Sequence, residues 1–152
     1  MQPRMEYATV APGAVKAMHG LERYLRECGL EPSLLELVKV RASQINGCAY
    51  CIDMHTKDAR AHGESEQRLY ALVAWRETPF FTNRERAALE WTEALTLIAD
   101  THVPDELYER VRPHFTEEEL VNLTLAVTTI NAWNRLVISF RTVPGTYQPA
   151  RT

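Results

Sequence analysis

Apolar positions recur along the chain at the three- and four-residue intervals of helices, and few segments alternate with the period of a strand. Val15, Met18, Leu21, Tyr24 and Leu25 make one such stripe and predict a helix over Pro12–Glu27 that closes near Gly29. Leu34, Leu37, Val38, Ala42 and Ile45 predict a second helix, starting at Pro32-Ser33 and broken at Asn46-Gly47. A third is expected from about residue 48 to 62, with Gly63 as its stop, and a short fourth over residues 66–76, ahead of Pro79. Thr82 and Glu85 have capping-box form, in which a hydroxyl and a carboxylate each satisfy an orphan amide. They open a long helix carrying Ala88, Trp91, Leu95 and Ile98. Pro104-Asp105 opens another short helix, and Thr116 with Glu119 repeats the box ahead of a helix reaching about Phe140. The pattern therefore predicts an all-α fold of six or seven helices, one domain over residues 1–143. Residues 144–152 carry no periodicity, and a loose or partner-docked tail is expected there.

A length of 152 residues suits one domain with its own core. Hydrophobic residues at 45% and charged residues at 24% exclude a disordered chain and a disulfide-dense mini-protein. A formal charge of −3 gives no basic footprint, so no nucleic-acid partner is expected. No apolar run follows Met1, so no secretory leader is expected. The most apolar stretch, residues 120–133, is interrupted by Asn122, Thr124, Thr128, Thr129 and Asn131, too polar for the ~20 apolar residues of a membrane span. A soluble, cytoplasmic protein with no membrane partner is the expectation. The helix over residues 116–140 is apolar nearly all round and must be covered on several sides, which argues for a homo-oligomer. Asn131, Asn134 and Arg135 are then polar links across an interface or hydrogen-bonding groups between helices of one chain.

Cysteine placement points to chemistry. An odd count of three is poor material for a disulfide framework, and two of the three form Cys48-Ala49-Tyr50-Cys51. With His55 the offsets are i, i+3 and i+7, which on a helix share one face. Two sulfurs one turn apart can close a disulfide and be reduced again. A histidine four residues beyond Cys51 can take a thiol proton or hold a thiolate. A helix N-terminus favours Cys48 as the lower-pKa thiol, whereas the histidine favours Cys51. Such a set permits two-electron chemistry, in which a thiolate attacks a peroxide and the resulting sulfenic acid condenses with its neighbour. A non-catalytic redox sensor or thiol-regulated scaffold would use the same disulfide. A zinc site would recruit Cys48, Cys51 and His55 but needs a fourth ligand from His62, Asp53 or Asp58. A thioredoxin fold is disfavoured because no βαβ pattern accompanies the pair.

Glu36 lies in Leu34-Leu35-Glu36-Leu37-Val38. It is either the N3 acid of a capping box begun by Ser33 or a shielded carboxyl whose pKa is raised toward a useful range. Twelve residues of unbroken helix would hold it about 18 Å from Cys48, so the chain must turn at Asn46-Gly47 for the two to meet. Cys28, His19, His102 and His114 have no partner pattern and are expected to be structural. His62 is expected to complement a helix C-terminus, and the tryptophans to pack.

The stretch Arg41-Ala42-Ser43-Gln44-Ile45-Asn46-Gly47-Cys48-Ala49-Tyr50-Cys51-Ile52-Asp53-Met54-His55 resembles the core of the AhpD-like alkylhydroperoxidases of the carboxymuconolactone decarboxylase superfamily. Their pattern is a glutamate, eleven residues, Cys-x-x-Cys, three residues and a histidine, and Glu36, Cys48, Cys51 and His55 fit every spacing. Trp75-Arg76, Glu85-Arg86-Ala87-Ala88-Leu89 and Ile130-Asn131-Ala132-Trp133-Asn134-Arg135 are similar to the single-domain branch. The resemblance implies an AhpD-like helical bundle and a thiol peroxidase acting on organic hydroperoxides in antioxidant defence. Cys51 would attack the peroxide, Cys48 would resolve it, and His55 with Glu36 would relay protons. It implies no bound cofactor and no metal. It does imply an external dithiol or lipoyl-bearing reductant protein and a trimeric or hexameric assembly. Tyr50 stands where some members carry a relay histidine, and it is a much weaker base.

Overall fold

In the computed structural model, which describes residues 1–149, nine α-helices and no strands are present among the described residues. They are α1 (Tyr7–Val10), α2 (Pro12–Glu27), α3 (Pro32–Asn46), α4 (Ala49–Ala61), α5 (Glu66–Ala71), α6 (Asn83–Thr96), α7 (Ile98–Thr101), α8 (Asp105–Val111) and α9 (Glu117–Phe140). The excess over six or seven consists of α1 and α7, single turns of four residues too short to carry a period. The fourth expected helix is divided. After Ala71 the chain tightens into a 3-10 segment, Leu72–Glu77. That segment kinks at Ala74 (φ −119°, ψ 33°), and Leu72 and Trp75 on either side of the kink are both buried in one cluster of the core.

Helix α3 is the axis of the bundle and packs against α4, α6 and α9. Every residue from Leu34 to Val40 is buried, so the helix has no solvent face in its first half. Leu34, Leu35 and Val38 join Trp91, Leu123 and Val127 in the main core. Leu37 and Val40 meet Leu72, Trp75, Phe81 and Leu89 on another side. Both capping boxes form, at Thr82 with Glu85 and at Thr116 with Glu119. Ser33 does not cap α3, which starts behind Glu31 with no side-chain cap. Glu36 is thereby free for other partners.

Two left-handed residues frame α4. Gly47 (φ 69°) ends α3, with Cys48 N–H donating to Ser43 O at 2.9 Å and Gly47 N–H to Gln44 O at 3.3 Å, a Schellman closure that reverses the chain. Gly63 (φ 92°) closes α4 the same way, with Glu64 N–H on Ala59 O and Gly63 N–H on Arg60 O, both at 3.0 Å. Asn46, at the first turn, donates to Asn134 Oδ1 (2.8 Å) and Asn131 Oδ1 (3.0 Å), and Asn134 donates to Ser43 Oγ. Asn131 and Asn134 are thus helix–helix hydrogen-bonding groups within one chain, whereas Arg135 donates to Asn131 of its own helix.

Beyond α9 the chain turns at Arg141 (φ 56°) and runs back along α4. Gly145 N–H donates to Asp53 Oδ2 at 3.0 Å, and Lys57 Nζ donates to the carbonyls of Gly145 (3.4 Å) and Tyr147 (3.1 Å). The Tyr147 hydroxyl donates to Asp58 Oδ1 at 2.7 Å. The remainder of the expected tail, residues 150–152, lies outside the described residues. No helix among the described residues is long and apolar enough to cross a membrane.

Candidate active site

Reversal at Gly47 brings the start of α4 beside the middle of α3, and the four spaced residues meet there. Cys48 is the N-cap of α4 and Cys51 its third residue. They form a disulfide with Cα atoms 5.4 Å apart, within the usual range for such a bond. His55, one turn further on, is 5% exposed, and its Nδ1 lies 2.9 Å from Glu36 Oε2. Both cysteines are buried, at 0% and 2% exposure, and pack in one cluster with Ala42, Ile130 and Val137. Cys51 also lines a cavity of about 750 Å³ together with Glu36, Lys39, Tyr50, His55 and Trp133. Cys48 is not among the residues lining that cavity.

The charge on Glu36 departs from the expectation that shielding raises it. Burial alone would push its carboxyl up, but the His55 hydrogen bond and the charges of His55 and Lys39 outweigh burial and hold it below the ordinary carboxylate range. His55 beside Glu36 is foreseen in the sequence, but the further partner, the buried Lys39, is not. Lys39 Nζ donates to Glu36 Oε1 at 3.2 Å and lies 3.4 Å from Glu22 Oε2, and Trp133 Nε1 donates to Glu22 Oε1 at 3.1 Å. Burial disfavours the Lys39 ammonium, yet Glu36 and Glu22 overcome it and hold the lysine above its usual range. Glu22, Lys39 and Glu36 thus alternate in charge from α2 into α3, and Glu36 shares a hydrogen bond with His55 of α4. Lys39 follows Glu36 by three residues, which was the one signal available in the sequence.

Asp58 joins the far side. One ligand atom each of Glu36, His55 and Asp58 lies within 4.8 Å of the others, a set that could hold a cation. The Lys39 ammonium against Glu36 works against a second positive charge there. Tyr147 and Pro149 also line the cavity. His19 lies beside Trp133, with ring centroids 5.5 Å apart, and His62 is the C-cap of α4 at the cavity edge. Cys28 is half-buried, with its thiol on Leu25 O.

Residues 12–94, more than half of the sequence, match the carboxymuconolactone decarboxylase family. The chain belongs to that family. Within this superfamily it is AhpD-like. The uncharacterized protein YdfG of Bacillus subtilis is 50% identical over 139 residues, covering 91% of this chain and 95% of YdfG. A protein of unknown function from Agrobacterium tumefaciens, for which a role as an antioxidant defence protein AhpD has been suggested, is 45% identical. It superposes with a TM-score of 0.93 over 96% of this chain and 100% of its own. A debrominase shares the fold, at a TM-score of 0.78 and 18% identity over 91% of this chain and 74% of its own.

Proposed function

We propose that this AhpD-like protein is a thiol-dependent peroxidase that reduces organic hydroperoxides by cycling the Cys48–Cys51 disulfide. One observation carries the reading. A reducible sulfur pair heads α4 with only Cys51 facing the cavity, and that cavity is shared with a histidine hydrogen-bonded to a buried anionic glutamate. In the reduced protein His55 takes the Cys51 proton, and Glu36 orients the imidazole through Nδ1 and stabilises the imidazolium. The thiolate attacks the distal oxygen of the hydroperoxide, the O–O bond breaks, and His55 returns the proton to the leaving alkoxide, giving an alcohol. Cys51 is left as a sulfenic acid. The Cys48 thiol attacks it, the S–O bond breaks and water leaves with the disulfide formed. An external dithiol, of lipoyl type by analogy with the family, supplies the two electrons and two protons that reopen the pair.

The site also supports the assignment of roles to the two sulfurs. Cys51 is the one that lines the cavity, within reach of a substrate, and Cys48, at the N-cap of the same helix and absent from the cavity lining, is placed to resolve it. A cytoplasmic location suits a pair that must be re-reduced at every turnover. A homo-oligomer, trimer or hexamer by analogy, suits α2. Of its stripe only Leu25 is buried, while Leu21 and Tyr24 are 36% and 49% exposed.

Stopped-flow oxidation with tert-butyl and cumene hydroperoxide, recycled by dihydrolipoamide, tests the reading. Cys51→Ser is expected to abolish peroxide consumption and Cys48→Ser to trap a sulfenic acid. Full turnover by Cys51→Ser would overturn the role given to that residue. Oxidation that stops after one equivalent with every dithiol donor would favour a redox sensor.

A further inference from the structure

We infer that Tyr147 is a specificity-determining residue: the strap formed by residues 144–149, latched through Tyr147 to Asp58, is a wall of the cavity that limits which molecules reach Cys51. The inference deepens the peroxidase reading by naming what controls access to that same site.

Every hydrogen bond of residues 144–149 among the described residues goes to α4, the helix that carries Cys51 and His55. Asp53 and Lys57, themselves paired at 2.9 Å, hold the backbone of the strap from one end, and Asp58 holds the phenol from the other. Tyr147 is half-buried and lies with Pro149 on the same cavity that Cys51 lines. Tyr7 and Ala8 of α1 and Val15 of α2 line the same cavity, so the strap is one wall of a chamber shared with apolar side chains. Its attachment is light. Gly145, Thr146 and Gln148 are exposed, and four hydrogen bonds open at much less cost than a packed helix. The phenol also fixes Asp58, whose carboxylate stands within 4.8 Å of the His55 and Glu36 ligand atoms. One side chain thus narrows the approach to the sulfur and holds the acid that stands beside His55 and Glu36.

The test reads access directly, without needing turnover. In a Cys28→Ala/Cys48→Ala background Cys51 is the single thiol, and its alkylation rate is measured with small iodoacetamide and with bulky fluorescein maleimide. Tyr147→Ala is expected to raise the bulky reagent's rate at least about ten-fold and iodoacetamide's less than about three-fold. Tyr147→Phe, which keeps the ring but cuts the latch, falls between. Lys57→Met, which loosens the strap and leaves Tyr147 intact, moves the ratio of the two rates in the same direction. A ratio within two-fold of the parent in both Tyr147→Ala and Lys57→Met overturns the inference. Peroxidase kinetics follow separately. Tyr147→Ala should lower KM for cumene hydroperoxide relative to hydrogen peroxide, with kcat changed less. A protein that consumes no peroxide at all, yet shows the shift in labelling ratio, refutes the peroxidase reading and leaves the strap's role standing.

Discussion

At Glu36, burial and charge pull in opposite directions, and charge wins because Lys39 stands 3.2 Å from one carboxylate oxygen and His55 2.9 Å from the other. A carboxyl whose folded pKa lies below its unfolded value stabilises the fold fully above the unfolded pKa. That stability is lost as pH falls through the folded one. Glu93 behaves alike. Its burial raises its pKa, but bonds from Trp75 and Arg76 and the Arg41 charge more than offset this. Stability in urea is therefore expected to be level from about pH 7 to 5 and to decline below about pH 4. Glu36→Gln should show a shallower decline, and it should slow peroxide oxidation about 100-fold by weakening the orientation of His55. Lys39→Met leaves Glu22 and Glu36 without their shared cation. It is expected to cost about 3 kcal/mol in urea unfolding, and to move the acid limb of stability to higher pH as the Glu36 carboxyl rises.

Several helix starts and stops have a local cause, and these causes can be tested one at a time. The capping-box acids are also gripped from outside: Glu85 by Arg68 and Glu119 by Arg84, whose Nη2 lies 2.7 Å from Glu119. Thr82→Ala and Thr116→Ala should each lower stability by about 1 kcal/mol, read from the urea midpoint at constant m-value. Arg141 takes a left-handed conformation at the end of α9, where Thr142 N–H donates to Val137 O at 3.1 Å. A Cβ is disfavoured there, so Arg141→Gly should raise stability by about 0.5 kcal/mol and preserve the turn that sends the strap over α4.

Over the whole molecule, what was legible in the sequence followed one rule: signals carried by short spacings were readable, and partnerships across the chain were not. Pro12 to Glu27 could be bounded from an apolar stripe and a proline, and both boxes from four residues each. The juxtaposition of Glu36 with His55 was foreseeable only through the break at Asn46-Gly47 and the family spacing. Lys39 was missed because its second partner, Glu22, belongs to another helix. Tyr147 was missed because it lies 89 positions from Asp58, in a tail that carries no periodicity. The stripe of α2 is the converse case: its period was plain, but one chain buries only Leu25 of it. Light scattering after size exclusion is expected to give a multiple of the chain mass. Leu21→Asp should shift that mass toward the monomer while leaving the helical content unchanged.

The unequal setting of the two sulfurs bears on how such a protein would age under oxidative stress. A sulfenic acid on Cys51 would meet its intramolecular rescuer, Cys48, within one turn at the head of α4, while further oxidant would have to arrive through the cavity that Tyr147 also lines. Condensation would then outrun the irreversible step to sulfinic acid. Intact-mass spectrometry after repeated peroxide pulses should find the parent protein free of added oxygen. Cys48→Ser should gain two oxygens and lose its activity for good.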